Sequence, residues 1–211
     1  MSLKDNRREY DYGTLSQDSL NDNPFTQFSL WMDQAIEADI IDPTAMSVAT
    51  VGEGGKPWQR MVLLKGFDER GFVFYTNLGS RKATDIAANP HVSLQFPWLQ
   101  LDRQVIIGGR AEALPESEVS DYFYSRPLSS QLAAWASQQS SPIASRSILE
   151  AQFEAVKRQF SSGNITVPEF WSGFRVVPEE FEFWQGGENR LHDRFSFQRQ
   201  EHDWGISRLS P

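Results

Sequence analysis

Ala45-Met46-Ser47-Val48-Ala49-Thr50-Val51-Gly52-Glu53-Gly54-Gly55-Lys56-Pro57-Trp58-Gln59-Arg60-Met61-Val62-Leu63-Leu64-Lys65 is the stretch that decides the fold. Short β-type runs occupy Met46 to Val51 and Trp58 to Lys65, and the glycine-rich Gly52-Glu53-Gly54-Gly55 between them forces a reversal. After a loop through Gly71, a third run follows from Phe72 to Thr76. Three such runs in a row, joined by turns, begin a β-meander.

Upstream, Asn23-Pro24 supplies an N-cap with proline at the first helical position. Phe25, Phe28, Trp31, Met32, Ala35 and Ile36 follow at helical spacing, so an amphipathic helix is predicted to end near Ile40. Residues 1–22 are polar and lack periodicity and read as a mobile arm. Downstream, Asn77-Leu78-Gly79-Ser80 closes the third strand and Ser80 caps a short helix, Arg81 to Ala88. Strands are predicted over His91 to Trp98 and Arg103 to Leu114, the latter bent or bulged at Gly108-Gly109. Helices follow from Pro115 to about Ser125 and from Ser129 to Ser137. A third begins at the capping box Ser147-Ile148-Leu149-Glu150 and carries Leu149, Phe153, Val156 and Phe160. Four closing strands are expected: Phe170 to Val177, Glu180 to Gln185, Asp193 to Arg199 and Trp204 to Leu209.

The fold class is α+β and mainly β, an antiparallel sheet curled into a barrel with helices packed outside, in a single domain over residues 23–211. Apolar content of 39% with 13% aromatic suits a folded core. No window approaches the ~20 apolar residues of a membrane span, and no membrane partner is expected. The first ten residues hold no apolar core for a secretory signal, so a cytoplasmic location is expected. Cysteine is absent, which removes disulfides and thiolate chemistry. His91, His192 and His202 lack metal-ligand spacing, and no metal is expected. Rossmann and P-loop glycine patterns are missing.

A net charge of −8 argues against nucleic acid as a partner. The basic residues are nevertheless grouped within apolar, aromatic segments, a pattern suited to small phosphorylated molecules. Ser80, Arg81 and Lys82 lie at a predicted helix N-terminus, where backbone N–H groups favour an anion. For that trio alone, an ordinary capped surface helix is the better account. Arg60 and Lys65 fall on opposite faces of an ideal strand, so they serve one cavity only if the strand bends or ends between them. Tyr122, Arg126 and Ser130 recur at spacing four, interrupted by Pro127, and form either a second anion set or a structural face. Arg190, His192 and Arg194 recur at spacing two behind Gly186-Gly187; in extended backbone they would share a face. A polar hairpin end with solvated charges is the competing reading.

Four motifs, in register, carry a resemblance: Arg60-Met61-Val62-Leu63-Leu64-Lys65; Phe74-Tyr75-Thr76-Asn77-Leu78-Gly79-Ser80-Arg81-Lys82; Ser125-Arg126-Pro127; and Phe183-Trp184-Gln185-Gly186-Gly187 through Arg190-Leu191-His192-Asp193-Arg194. Together they closely resemble the pyridoxamine 5'-phosphate oxidase family, from Arg7 to Arg208-Leu209-Ser210-Pro211. The resemblance implies a split β-barrel homodimer with FMN at the subunit interface. It also implies oxidation of pyridoxamine or pyridoxine 5'-phosphate to pyridoxal 5'-phosphate, with O2 as acceptor and H2O2 as product.

By the same resemblance Arg60, Met61, Val62, Leu63, Leu64, Lys65, Tyr75, Thr76, Arg81, Lys82, Gln104, Gln139, Ser140, Trp184 and Arg194 are the FMN contacts. Lys65, Tyr122, Arg126 and Ser130 hold the substrate phosphate. Arg190, Leu191 and His192 lie beside the substrate ring, with Arg190 and His192 as the catalytic pair, and Arg7, Arg8, Glu9 and Tyr10 form an arm over it. Family members carry histidine where Asn189 stands and a more charged pair at Leu128 and Ser129. Another FMN-dependent reductase on the same barrel would keep the flavin set without the substrate set. A non-catalytic flavin- or pyridoxal-phosphate-binding protein would keep ligands without turnover.

Overall fold

The computed structural model describes residues 2–5 and 8–211. Among the described residues, five α-helices and nine strands make up the domain. Helix α1 spans Pro24–Glu37, and Asn23 caps it by accepting hydrogen bonds from the Phe25 N–H at 2.8 Å and the Thr26 N–H at 3.3 Å. Such a cap contributes about 1 kcal/mol. The helix stops slightly short of the predicted end, with Asp39 beyond it in the left-handed region at φ 51°.

Strands β1 (Ala45–Val51) and β2 (Pro57–Leu63) form the predicted hairpin, with Val48 opposite Arg60. β3 (Gly66–Asp68) and β4 (Gly71–Asn77) follow, then α2 (Arg81–Ala88), β5 (His91–Trp98) and β6 (Arg103–Ala113). Helices α3 (Glu116–Ser125), α4 (Leu128–Ala136) and α5 (Arg146–Gln159) come next. The chain finishes with β7 (Trp171–Gln185), β8 (Asp193–Arg199) and β9 (Trp204–Leu209).

All pairings are antiparallel, in the order β2-β1-β5-β6-β7-β4-β3, with β8 joining β7 and β9 joining β8. The path starts and ends on consecutive strands, β2 and β3, so the sheet curls back on itself. No ladder joins those ends among the described residues, and the barrel stays split.

Two of the predicted boundaries are corrected. The segments read as separate strands, Phe170 to Val177 and Glu180 to Gln185, are one 15-residue strand, β7. The apparent break at Pro178-Glu179 is a bulge: Gly108 faces Glu180 and Gly109 faces Pro178, leaving Glu179 over. Proline, which has no N–H to donate, is accommodated at such a point. A Cβ on Gly109 would run into the Val177 carbonyl, which is why glycine stands there. At α5 the cap is Ser145, whose Oγ accepts from the Ile148 N–H at 3.4 Å, and Ser147 sits inside the helix. Starting at Arg146 also brings Arg146 and Glu150 into an i,i+4 ion pair at 2.8 Å.

The core explains why one sheet supports two sets of helices. Phe72 and Phe74 of β4 face the inner cluster with Phe96, Phe181, Phe183 and Phe197, whereas Val73 faces an outer cluster with Val119, Phe123, Leu132 and Trp171. Helices α3 to α5 cover that outer face. Helix α1 instead serves the inner cluster: the Phe28 ring lies 4.9 Å from each of Phe67, Phe72 and Phe96. Fully buried, Phe28 would cost about 3–5 kcal/mol if cut to alanine. No helix among the described residues is long and apolar enough to cross a membrane.

Candidate active site

β2 ends at Leu63, so the chain turns between Arg60 and Lys65 and both line one cavity of about 740 Å³. The condition set by their odd spacing is therefore met. The cavity is walled by Trp58, Arg60, Met61, Val62, Leu63 and Lys65 from β2 and its exit, Tyr75 and Thr76 from β4, and Arg81 and Lys82 from α2. Tyr122, Arg126, Gln139, Ser140 and Trp171 complete it. Five of these residues are cations.

Ser80 caps α2 through the Ala83 N–H, which presents the first turn of the helix to the cavity. Lys82 is buried there and its Nζ donates to Thr76 Oγ1 at 2.9 Å, Gln139 Oε1 at 3.1 Å and Ser80 Oγ at 3.2 Å. Burial, reinforced by the nearby Arg60 charge, pushes the ammonium down from 10.5 to about 8. The loop after α4 is tied to the same corner, because the Arg81 N–H donates to Ser140 Oγ at 3.2 Å.

Arg60 Nη1 donates to Thr50 Oγ1 at 2.8 Å, and Thr50 in turn donates to Asp85 at 2.7 Å. Its Nη2, 3.8 Å from Asp85, is buried without a hydrogen-bond partner among the described residues. Arg126 Nη1 is in the same condition. Burial lowers the pKa of both guanidinium groups. Buried donors in folded proteins are nearly always satisfied, so two orphans in one cationic cavity mark two positions for an anion.

Beside Arg126 the cavity has an aromatic wall. Tyr75 stacks on Tyr122 at 3.9 Å and on Trp171 at 5.3 Å, and Arg126 lies 5.0 Å over the Trp171 ring. Trp58 carries Arg81 over its face at 4.2 Å. Trp58, Trp171 and Asp85 were not anticipated from sequence. Trp58 was within reach, since it is two residues from Arg60 on one strand. Trp171 and Asp85 required the pairing of β4 with β7 and the packing of α2.

Other predicted residues lie elsewhere. Leu64 is buried in the core and does not line the cavity, and neither does Ser130 on α4. Gln104, Trp184 and Arg194 form a separate row across β6, β7 and β8, since Gln104 pairs with Trp184 and Trp184 with Arg194. Their sequence neighbours Val105, Phe183 and Phe195 point into the core, so the row lies on the outer face. Arg194 is committed to Glu182 by two hydrogen bonds, at 2.9 and 3.1 Å, and donates a third to the Ser210 carbonyl at 2.8 Å.

The expected shared face of Arg190, His192 and Arg194 does not form. Glu188–Arg190 is a tight 3-10 turn with Asn189 at φ 54° and Arg190 at φ 66°, and β8 begins only at Asp193. His192 is held instead by the Gly187 N–H, which donates to Nδ1 at 3.1 Å. Its ring lies 4.7 Å from Trp184.

The arm reaches this corner. Tyr10 packs edge-on against Trp184 at 5.7 Å and His192 at 5.3 Å, and Arg190 lies 5.7 Å over the Tyr10 ring. The Asn189 N–H donates to Glu9 at 3.4 Å. Leu191 is exposed beside them. Arg7 lies outside the described residues.

Residues 32–160 match the family described as pyridoxamine 5'-phosphate oxidase, and residues 171–211 match the pyridoxine 5'-phosphate oxidase C-terminal dimerisation region. A pyridoxine/pyridoxamine 5'-phosphate oxidase of Vibrio cholerae serotype O1 is 56% identical over 211 residues, covering 100% of both chains. One from Pectobacterium atrosepticum is 56% identical over 209 residues, covering 99% of this chain and 92% of its own. Among solved structures, PhzG from Burkholderia lata 383 in complex with tetrahydrophenazine-1-carboxylic acid matches with TM-score 0.86 and 28% identity, over 94% of this chain and 98% of its own. A pyridoxamine 5'-phosphate oxidase-related, FMN binding protein from Nostoc punctiforme shares the fold at TM-score 0.72 and 14% identity, over 91% of this chain and 100% of its own. With matching sequence from end to end and a cavity built from the expected motifs, the chain belongs to the pyridoxine/pyridoxamine 5'-phosphate oxidase family.

Proposed function

We propose that the chain, as a homodimer holding FMN between its copies, oxidises pyridoxine 5'-phosphate, and pyridoxamine 5'-phosphate with uptake of water and release of ammonia, to pyridoxal 5'-phosphate, passing electrons to O2 and releasing H2O2. The observation that carries this reading is the pair of buried guanidinium donors, on Arg60 and Arg126 in one cavity, that have no partner among the described residues. Two anion positions in a cavity with an aromatic wall suit a phosphorylated cofactor together with a phosphorylated substrate. FMN fits the Arg60 end, where Lys82, Arg81 and the α2 N-terminus converge; when bound it accepts hydride from the substrate C4' and returns the electrons to O2.

A dimer reconciles the two sets of flavin contacts. Trp171 lines the cavity and Trp184 carries the outer row, yet they stand near opposite ends of β7, separated by roughly 40 Å of strand at ~3.3 Å per residue. No single small ligand spans that length within one chain. A second copy would bring its Gln104, Trp184 and Arg194 to the flavin and its Arg190 and His192 to the substrate ring. The match of residues 171–211 to a dimerisation region supports this arrangement.

In this assembly Arg126, Lys65 and Tyr122 hold the substrate phosphate and so fix the reacting carbon relative to the flavin. Arg190 and His192 orient the pyridine ring, and Tyr10 excludes water from that side. No side chain is required as a nucleophile. The solved PhzG structure, 28% identical, is in complex with tetrahydrophenazine-1-carboxylic acid, so the second reading is a protein of this fold acting on another substrate. Aerobic turnover of pyridoxine 5'-phosphate with stoichiometric O2 uptake tests the proposal, and protein that retains FMN yet is never reduced anaerobically by that substrate would defeat it.

A further inference from the structure

The arm is fixed to the body of the protein at a point remote in sequence from the residues it covers. A 3-10 turn, Leu99–Leu101, ends at Asp102, which adopts the left-handed conformation with φ 52° and ψ 36°. Its carboxylate side chain is only 6% exposed, and its hydrogen-bond partner among the described residues is Arg8 Nη2. The same Nη2 also donates to the Leu99 carbonyl at 2.9 Å, so one guanidinium caps the turn and neutralises the carboxylate at its end. A buried carboxylate is costly unless paired, which makes this contact stronger than the exposure of Arg8 alone would suggest.

The turn is coupled to the substrate corner by backbone. The Gly186 N–H donates to the Asp102 carbonyl at 2.7 Å, and Gln185 Nε2 donates to the carbonyls of Leu101 and Asp102 at 3.1 and 3.2 Å. Two residues along the arm from Arg8, Tyr10 settles directly on Gly186, where a Cβ would come within 2.7 Å of the tyrosine ring. Asp102 therefore grips both the arm and the strand end on which the arm lies.

We propose that Asp102 is a positioning residue. By holding Arg8 it sets Tyr10 in register over Trp184, His192 and Arg190, and thereby closes the substrate side of the site. The role rests on the proposed function, under which that corner faces the substrate ring; the latch itself does not. Asp102 touches neither ligand in this scheme, and its side chain acts only through Arg8.

The test is a double-mutant cycle in the FMN-loaded protein with Arg8→Ala, Asp102→Asn and both together, plus Arg8→Lys. Asparagine keeps the left-handed backbone acceptable, so folding is spared. Each single variant should raise the KM for pyridoxine 5'-phosphate roughly tenfold while kcat and bound flavin stay within about twofold, with the double no worse than the singles. Arg8→Lys should recover part of the loss. Amide hydrogen exchange over residues 8–12 should accelerate equally in the alanine, asparagine and double variants. Additive effects on KM, or a KM unmoved while exchange accelerates, would overturn the positioning role. Unchanged exchange in Asp102→Asn would overturn the latch itself. Failure of the wild-type protein to turn over pyridoxine 5'-phosphate would instead strike the functional reading and leave the exchange result standing.

Discussion

The cavity around Lys82 and the corner around Arg194 both gather cations, yet they treat them in opposite ways. In the cavity, Arg60 and Arg126 keep buried donors without partners among the described residues. At the corner, Arg194 spends its donors on Glu182 and Ser210, and Tyr10 already covers His192 and Arg190. Unsatisfied buried donors are expensive and are retained where a ligand completes them. Internally satisfied ones orient a surface without demanding a ligand. Under the proposed function, the cavity is the part that binds anions and the corner the part that presents groups to a ligand bound elsewhere.

That contrast is most open to attack at Lys82. Lys82→Met removes a charge-assisted donor from the flavin end and should weaken FMN binding about a hundredfold, read by equilibrium titration of the apoprotein. A change under threefold would mean that the buried ammonium serves the fold alone. Next in size, Arg126→Leu should weaken binding of phosphorylated substrate by roughly ten- to a hundredfold while FMN stays bound. Loss of both ligands together would merge the two anion positions into one.

At the corner the effects should be smaller and of another kind. Arg190→Met should lower turnover about tenfold with both vitamers and leave flavin occupancy near normal. Arg194→Met should weaken FMN retention or shift its reduction potential by a lesser amount, since Glu182 already neutralises much of its charge. Flavin lost from the Arg190 variant would erase the division of labour between the two residues.

The smallest effect is a pH dependence. Lys82 has a folded value of about 8, below its ordinary 10.5, so the folded apoprotein gains stability from this group as pH rises through that window. FMN binding needs the charge restored and runs the other way. Affinity should fall by a factor of a few between pH 8 and 9, with proton uptake on binding measurable by calorimetry in buffers of different ionisation enthalpy. A fall in affinity that persists unchanged in Lys82→Arg would remove Lys82 from the linkage.

Local chemistry made much of the fold legible. The Asn23-Pro24 cap, the Ser80 cap, the β1–β2 turn and the Gly108-Gly109 irregularity each act within a few residues, and all appear where their residue types demand. Misreadings arose where a distant partner decided the outcome. Pro178 looked like a strand break because the bulge that accommodates it depends on glycines 70 residues earlier. Arg190 looked extended because nothing in the spacing reveals positive φ at Asn189 and Arg190. The motif residues of the cavity were readable as cations beside apolar runs. Trp171 and Asp85 became visible only when β7 and α2 were brought against β4 and β1.

β7 has a further consequence during synthesis. It is the shared partner of β4, β6 and β8, and it emerges from the ribosome about a hundred residues after β4. Until then the facing edges of β4 and β6 carry backbone groups with no strand to receive them, and Phe72, Phe74, Val105 and Ile107 lack the cover that Phe174, Val176, Phe181 and Phe183 later provide. High sequence separation of this kind slows folding and lengthens exposure to aggregation. The nascent chain is therefore at its most vulnerable just before residue 171, and the strand that ends this exposure is the one that carries Trp171 and Trp184.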